Sequence, residues 1–287
     1  MHHDVTEVLG MEKNLLKLLT VDREIRLFVV DVTKVLRFSA LRAMRAEPAR
    51  QLYVKIFANC ALLRGLLTPE QRATVAVRFK PEGYSAHCEI DGHGAVHCLF
   101  SPKLCSFDGD VADLVGEGAT LSMTRGSWTG GMFTGTVELT QHAVDDFFSY
   151  FYSKSEQTET VFMTWTDAAP FRGCMVQPLP LAHREQVDQV LSRLRRDGPR
   201  LRTVAWERIS DVFSPWAEIV EQQAVHASCH CSREMFLGLL MAVDTEDLTR
   251  AIQENRTEKA ECGVCGKVYV FQREDLEEVV RRKMAVS

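Results

Sequence analysis

The chain has 287 residues, a formal charge of −5, 46% hydrophobic residues and 25% charged ones, a balance that fits a globular protein with one large core and room for a small second one. The mild acidity gives no support to general nucleic-acid binding, which favours a basic footprint. No apolar run approaches the roughly eighteen residues of a membrane-spanning helix, so neither a nucleic acid nor a membrane is an expected partner.

Residues 1–7 lack the charged and apolar regions of a secretory signal and the Arg-rich character of a transit peptide. Of the nine cysteines, Cys60, Cys88, Cys98, Cys105 and Cys174 are scattered and the rest cluster near the C-terminus. An odd number without a secretory signal points to a reducing compartment, and lone cysteines in apolar company are ordinarily small core residues. The expected location is cytoplasmic, with an organelle left open.

Residues 24–30 read as a strand. Thr33 can cap a helix running towards Arg45, with Pro48 marking its end. A second helix is predicted over 50–66, carrying Leu52, Val54, Ile56, Phe57, Cys60, Leu63 and Leu66. Residues 74–79 alternate as a strand, and 85–90 and 95–100 form a hairpin around Asp91-Gly92. His87-Cys88 and His97-Cys98 flank that turn. One member of each pair in the core explains them more simply than a metal site.

Strands are predicted over 119–124 and 135–139, on either side of a glycine-rich stretch, 126–131, that lacks the lysine and helix of a phosphate loop. A helix is predicted over 141–152, with Val144, Phe147, Phe148 and Phe151 on one stripe. Ser155-Glu156-Gln157 then reads as a polar helix-terminal turn, since no nucleophile motif supplies a partner histidine. Short strands at 161–165 and 174–177 precede Pro178 and Pro180, which suggest a boundary near 180. The predicted fold is α+β: residues 1–180 form a core domain with a mostly antiparallel sheet packed with helices.

Residues 181–226 are rich in charge, yet Val187, Val190, Leu191 and Leu194 keep helical spacing. Gly198-Pro199 is expected to break that helix, and a second one is predicted from Ser210 through Trp216, Ile219 and Val220. Short helices are marginal unless docked. The stretch is either an ordinary connecting pair or a helical linker that is only conditionally stable.

Residues 227–287 form a small C-terminal domain. Ser232 can cap a helix with Met235, Phe236, Leu239 and Leu240, and Thr245 starts another with an acidic first turn. A strand at 268–271 and a final helix with Leu276, Val279 and Val280 follow. A segment this small benefits from a metal staple.

That staple is legible as Cys229-His230-Cys231, thirty residues, then Cys262-Gly263-Val264-Cys265. Residues i and i+2 of an extended chain share one face, so both sulfurs of the first pair can meet one ion. Gly263 and Gly266 permit a tight turn whose N–H groups point at the sulfurs of the second. Four thiolates suit tetrahedral zinc and leave no open position for a substrate. Bound thiolates also remain nucleophiles towards peroxide, so the same residues serve a purely structural site or a redox switch. Oxidising either pair removes two ligands. Zinc binding contributes about 10–16 kcal/mol to folding in such modules, so its loss would unfold the domain. Lys259, Lys267, Arg233 and Arg256 lie close in sequence and can temper the site's negative charge. A thioredoxin-like dithiol fits poorly, because a strand rather than a helix follows Cys265. A nucleic-acid zinc ribbon is opposed by Glu254, Glu258, Glu261, Glu274, Asp275, Glu277 and Glu278.

In combination these features resemble the redox-regulated holdase chaperones, the bacterial-type heat-shock proteins of about 33 kDa. The resemblance rests on Cys229, Cys231, Cys262 and Cys265, on Cys-Ser-Arg-Glu after the first pair and on Cys-Gly-Lys-Val-Tyr-x-Phe at the second. It extends to Tyr150-Phe151-Tyr152-Ser153-Lys154-Ser155-Glu156-Gln157, Met175-Val176-Gln177-Pro178-Leu179-Pro180 and Gly135-Thr136-Val137-Glu138-Leu139. His230 departs from the family's usual acidic residue, and Thr158-Glu159-Thr160 from its proline-containing follow-on.

The resemblance implies a protein that is not an enzyme and binds unfolding clients without ATP under oxidative stress. One zinc is held by the four cysteines in the reduced form. Oxidation forms Cys229–Cys231 and Cys262–Cys265 disulfides, releases zinc, unfolds the C-terminal redox-sensing domain and frees the linker. A homodimer is implied for the oxidised form. The alternatives are a constitutive zinc-stapled binding protein and a dithiol–disulfide oxidoreductase.

Overall fold

The structure, a computed structural model, describes residues 12–38, 40–127, 130–229, 231–262 and 267–286, and the backbone alone at 37, 38, 285 and 286. The expectations for residues 1–7, for the centre of the glycine-rich stretch, and for His230, Gly263, Cys265 and Gly266 lie outside the described residues. The chain divides into two compact units, Met1–Ala227 and Ser228–Ser287.

In the first unit, β1 (Leu15–Thr20), β2 (Ile25–Asp31), α1 (Glu47–Leu62), β3 (Gln71–Arg78), β4 (Ser85–Asp91), β5 (Ala95–Phe100), β6 (Thr120–Ser127) and β7 (Met132–Glu138) come first. They are followed by α2 (Val144–Lys154), β8 (Val161–Trp165), β9 (Arg172–Pro178), α3 (Arg184–Thr203), β10 (Ala217–Gln223) and β11 (His226–Ala227). A five-stranded antiparallel sheet has the order β10-β1-β2-β9-β8. A six-stranded sheet has the order β11-β5-β4-β3-β6-β7, antiparallel except for the β11–β5 pair.

Helix α1 packs against β2, β8 and β9 of one sheet and β4 and β5 of the other. It is therefore apolar nearly all round, as an enclosed helix must be: Leu52, Tyr53, Ile56, Phe57 and Cys60 are all buried. Pro48 lies in its first turn instead of ending an earlier helix. Proline's missing N–H is harmless there, because the first N–H groups of a helix have no intrahelical acceptor. The helix expected from Thr33 is two single 3₁₀ turns, Val35–Phe38 and Ala40–Ala43, and the last turn of the helix expected to reach 66 tightens to 3₁₀ at Leu63–Leu66.

The stretch 181–226 belongs to the first unit and differs from its sequence pattern in two ways. Gly198-Pro199 does not break α3, which runs for 20 residues to Thr203. Gly198 instead admits Trp165, whose Nε1 would stand 2.9 Å from any Cβ there. Buried Leu194 and Leu201 hold the helix down on either side of the proline, so packing overrides local propensity. The helix expected from Ser210 stops after one turn, Ser210–Phe213, and Ile219 and Val220 lie in β10. There β1 supplies a ladder, with Leu18 opposite Ile219. β1 itself is missing from the sequence prediction, because LLKLL does not alternate.

One face of the five-stranded sheet carries Leu16, Leu18, Leu27, Val29 and Val176, and these cluster with Val187, Val190, Leu191, Leu194 and Leu201 of α3. Phe213 and Trp216 complete the cover. Glu24 holds the start of α3, accepting from the backbone N–H of His183 at 2.7 Å and lying 2.7 Å from its Nδ1. At the other end, buried Arg172 donates to Leu201 O at 2.5 Å and pairs with Asp31 at 2.9 Å.

The second unit contains α4 (Arg233–Leu240), α5 (Thr245–Gln253), the hairpin β12 (Glu258–Glu261) and β13 (Val268–Phe271), and α6 (Arg273–Val286). Its buried core is small: Phe236, Leu248, Ala251, Cys262, Tyr269, Phe271, Leu276 and Val279.

Candidate metal centre

The β12–β13 register ends at Glu261 opposite Val268. One residue on, the Cys262 N–H donates to the Lys267 carbonyl at 2.9 Å and closes the neck of the loop. Cys262 therefore has its position set by the end of the hairpin ladder, and it is buried. Cys229 and Cys231 precede α4 and are half-buried. That helix starts as its sequence predicts, with Ser232 Oγ accepting from the Met235 N–H at 3.1 Å.

Cys229 Sγ lies 3.4 Å from Cys262 Sγ. With Cys231 the three sulfurs all fall within 4.8 Å of one another. Tetrahedral zinc with bonds of about 2.3 Å sets its sulfurs about 3.8 Å apart, so these three sulfurs could supply three ligands to a soft ion. Residues more than thirty apart in sequence are brought together because the hairpin and the segment before α4 share the core of Phe236, Tyr269 and Phe271.

Tyr269 is a positioning group that the cysteine spacing does not reveal. Its hydroxyl donates to the Cys231 carbonyl at 3.0 Å and lies 3.2 Å from the same residue's Sγ. Its ring packs on Phe236 with centroids 5.0 Å apart. The available signal was its place in Cys-Gly-Lys-Val-Tyr-x-Phe.

Most of the neighbouring cations have partners of their own. Arg233 pairs with Asp275 at 2.6 Å and lies over Phe271, while Arg256 is bound to Glu254 and Glu258. Lys267 sits over the Tyr269 ring at 5.0 Å and Lys259 is exposed. Arg233 and Arg256 are thus paired with carboxylates of their own unit.

The scattered cysteines do not join this cluster. Cys60 and Cys174 are fully buried, and burial pushes both thiols far above the usual range. Burial also raises Cys105. Cys88 and Cys98 face each other across β4 and β5 and are joined by a disulfide with S–S 2.02 Å. They are core residues, as the hairpin pattern predicts, but a bonded pair and not lone thiols.

The family model described as Hsp33 protein matches residues 13–272. The 33 kDa chaperonin of Bacillus pumilus is 23% identical over 282 residues, covering 92% of this chain and 97% of that protein. The 33 kDa chaperonin of Lactiplantibacillus plantarum is 31% identical over 189 residues, and the match spans 60% of this chain and only 62% of that relative's length. The crystal structure of the 33 kDa chaperonin (heat shock protein 33 homolog) from Thermotoga maritima aligns with a TM-score of 0.72 at 18% identity, over 96% of this chain and 100% of the other, and shares its fold.

Proposed function

The chain belongs to the Hsp33 family of chaperones, and from that premise we propose that it is an ATP-independent holdase switched on by oxidation. The observation that carries the proposal is the convergence of Cys229, Cys231 and Cys262 from two distant segments in a unit with few other buried side chains. In the reduced protein these residues and Cys265 hold one zinc ion, which staples the second unit. Peroxide then takes two electrons from each cysteine pair. Two thiolates join in an S–S bond, the O–O bond breaks, and two protons are taken up as two waters leave. Disulfides Cys229–Cys231 and Cys262–Cys265 cannot hold zinc, and the second unit unfolds.

In this reading the end of the first unit follows. β11 has two residues, and β10 is an edge strand whose five central residues are exposed. Peeling back from there uncovers the sheet face carrying Leu16, Leu18, Leu27 and Val176, which α3 otherwise covers. That face is apolar, continuous and suited to unfolding clients. Among the described residues no helix is long and apolar enough to cross a membrane. The proposed setting is the cytoplasm under oxidative stress, and the active form is a homodimer.

The test follows zinc release with a colorimetric chelator, suppression of thermal aggregation of a model client, and mass by light scattering, before and after peroxide with mild heat. Zinc release together with a gain of holdase activity is expected. Equal activity in both states, with zinc retained, would instead describe a constitutive zinc-stapled binder. Catalytic disulfide turnover that depends on Cys262 but not Cys229 would describe an oxidoreductase.

A further inference from the structure

Within the first unit, one cavity has charged walls and no cysteine in its lining. This cavity of about 540 Å³ opens where Lys17 of β1, Arg26 of β2 and Arg64 after α1 meet Arg125 of β6. Glu156 and Glu221 are the carboxylates of its wall. Four cations against two anions leave a formal charge of +2 on the lining.

The pairing inside the cavity is uneven. Glu156 pairs with Arg125 at 3.0 Å, and Glu221 with Lys17 at 3.6 Å. Arg26 has one neutral partner, donating to Gln177 Oε1 at 2.6 Å, and Arg64 has one, donating to Leu67 O at 2.9 Å. The Nε of each is buried without an acceptor. Burial outweighs the pull of Glu221 and Asp91 and holds Arg64 below the usual arginine range. Arginine nonetheless stays charged in proteins. Two partly buried guanidinium groups without carboxylate partners therefore face a space large enough for a ligand, and a planar fork of N–H donors is matched to phosphate oxygens. Glu156 and Gln177 both come from the Ser-Glu-Gln and Val-Gln-Pro segments that mark the sequence, and neither has a part in the thiol chemistry.

We propose that the cavity of Arg26, Arg64, Arg125 and Lys17 binds a phosphate-class oxyanion, either the free ion or the phosphoryl group of a small organic molecule. An anion there supplies the missing counter-charge and ties Arg125 of the six-stranded sheet to Arg26 of the five-stranded one.

The test uses the full, reduced, zinc-loaded chain at fixed ionic strength. Inorganic phosphate and a nucleoside monophosphate are titrated separately and followed by calorimetry and ³¹P line broadening. Saturable one-to-one binding is expected. Tighter binding of inorganic phosphate assigns the free ion, and tighter binding of the nucleoside monophosphate assigns an organic ligand. Arg64→Gln should weaken binding at least about tenfold, the effect of losing a charge-assisted hydrogen bond. Glu156→Gln removes a competing anion and should strengthen binding several-fold, an opposite sign that general loss of folding cannot mimic. Absence of saturable binding to the unmodified chain in both titrations overturns the proposal. So does Glu156→Gln that leaves the affinity unchanged or lowers it.

Discussion

The two units keep their folds by different means. The first encloses α1 between two sheets and buries Tyr53, Phe57, Phe147, Phe148, Phe151 and Tyr152. The second has Phe236, Tyr269 and Phe271 as its buried aromatic side chains among the described residues, and its sulfurs lie in the same cluster. Cysteine chemistry follows this difference. In the first unit, deep burial holds Cys60 and Cys174 as unreactive thiols. In the second, the enclosed apolar cluster is smaller and the three described sulfurs pack in or against it, the setting in which a small module gains from a metal staple. Under the proposed function, the second unit would depend on its metal for folding and the first would not, the contrast on which a redox switch would act.

The largest expected effect comes from removing the staple. Cys262→Ser, or strong chelation of the reduced protein, should remove on the order of 10 kcal/mol of apparent folding energy from the second unit. Hydrogen exchange should then show protection lost across 228–287 and kept in α1. Persistent protection of β12 and β13 would erase the contrast between the units.

Truncating one buried aromatic in each unit sharpens it. Phe271→Ala and Phe57→Ala each remove about 3–5 kcal/mol of packing. The first should appear as zinc lost to a weaker competing chelator, the second as a lower melting temperature of the first unit with zinc affinity unchanged. Val190→Asp buries a charge among Leu191, Leu194 and the sheet face and should cost α3 on the order of 3 kcal/mol. Holdase activity of the reduced protein should rise, and an unchanged baseline would count against α3 as the cover of the client surface.

Tyr269→Phe removes the hydroxyl that holds Cys231 and should cost about 1 kcal/mol, with faster peroxide oxidation of the cluster as the readout. The smallest effect is at the start of α3. Hydrogen bonds from the His183 backbone and ring hold the Glu24 carboxyl below its usual range. Its contribution is therefore complete above the ordinary glutamate pKa and fades as pH falls through the lowered value. Glu24→Gln should remove that acid-dependent part of α3's amide protection.

Much of the fold was legible from periodicity. The alternating strands β3, β4 and β5, the Asp91-Gly92 turn, the phenylalanine stripe of α2 and the Ser232 cap all form as their patterns predict. The illegible parts depend on distant partners. LLKLL is a strand because β2 and β10 flank it, and Ile219-Val220 is a strand because β1 does. Pro199 is tolerated because α3 is held against the sheet on both sides of it.

The candidate centre divides the same way. Chemistry is a property of residue type and spacing, so Cys229, Cys231 and Cys262 could be paired as ligands before any fold was known. Whether their sulfurs meet depends on chain path, and that was decided by the neck of the β12–β13 hairpin and the shared aromatic core. Tyr269 against Cys231, the pairing of Arg233 with Asp275 and the arginine-lined cavity between the sheets are likewise tertiary facts. Each joins residues far apart in sequence through contacts a few ångströms long, and no local pattern encodes a distance of that kind.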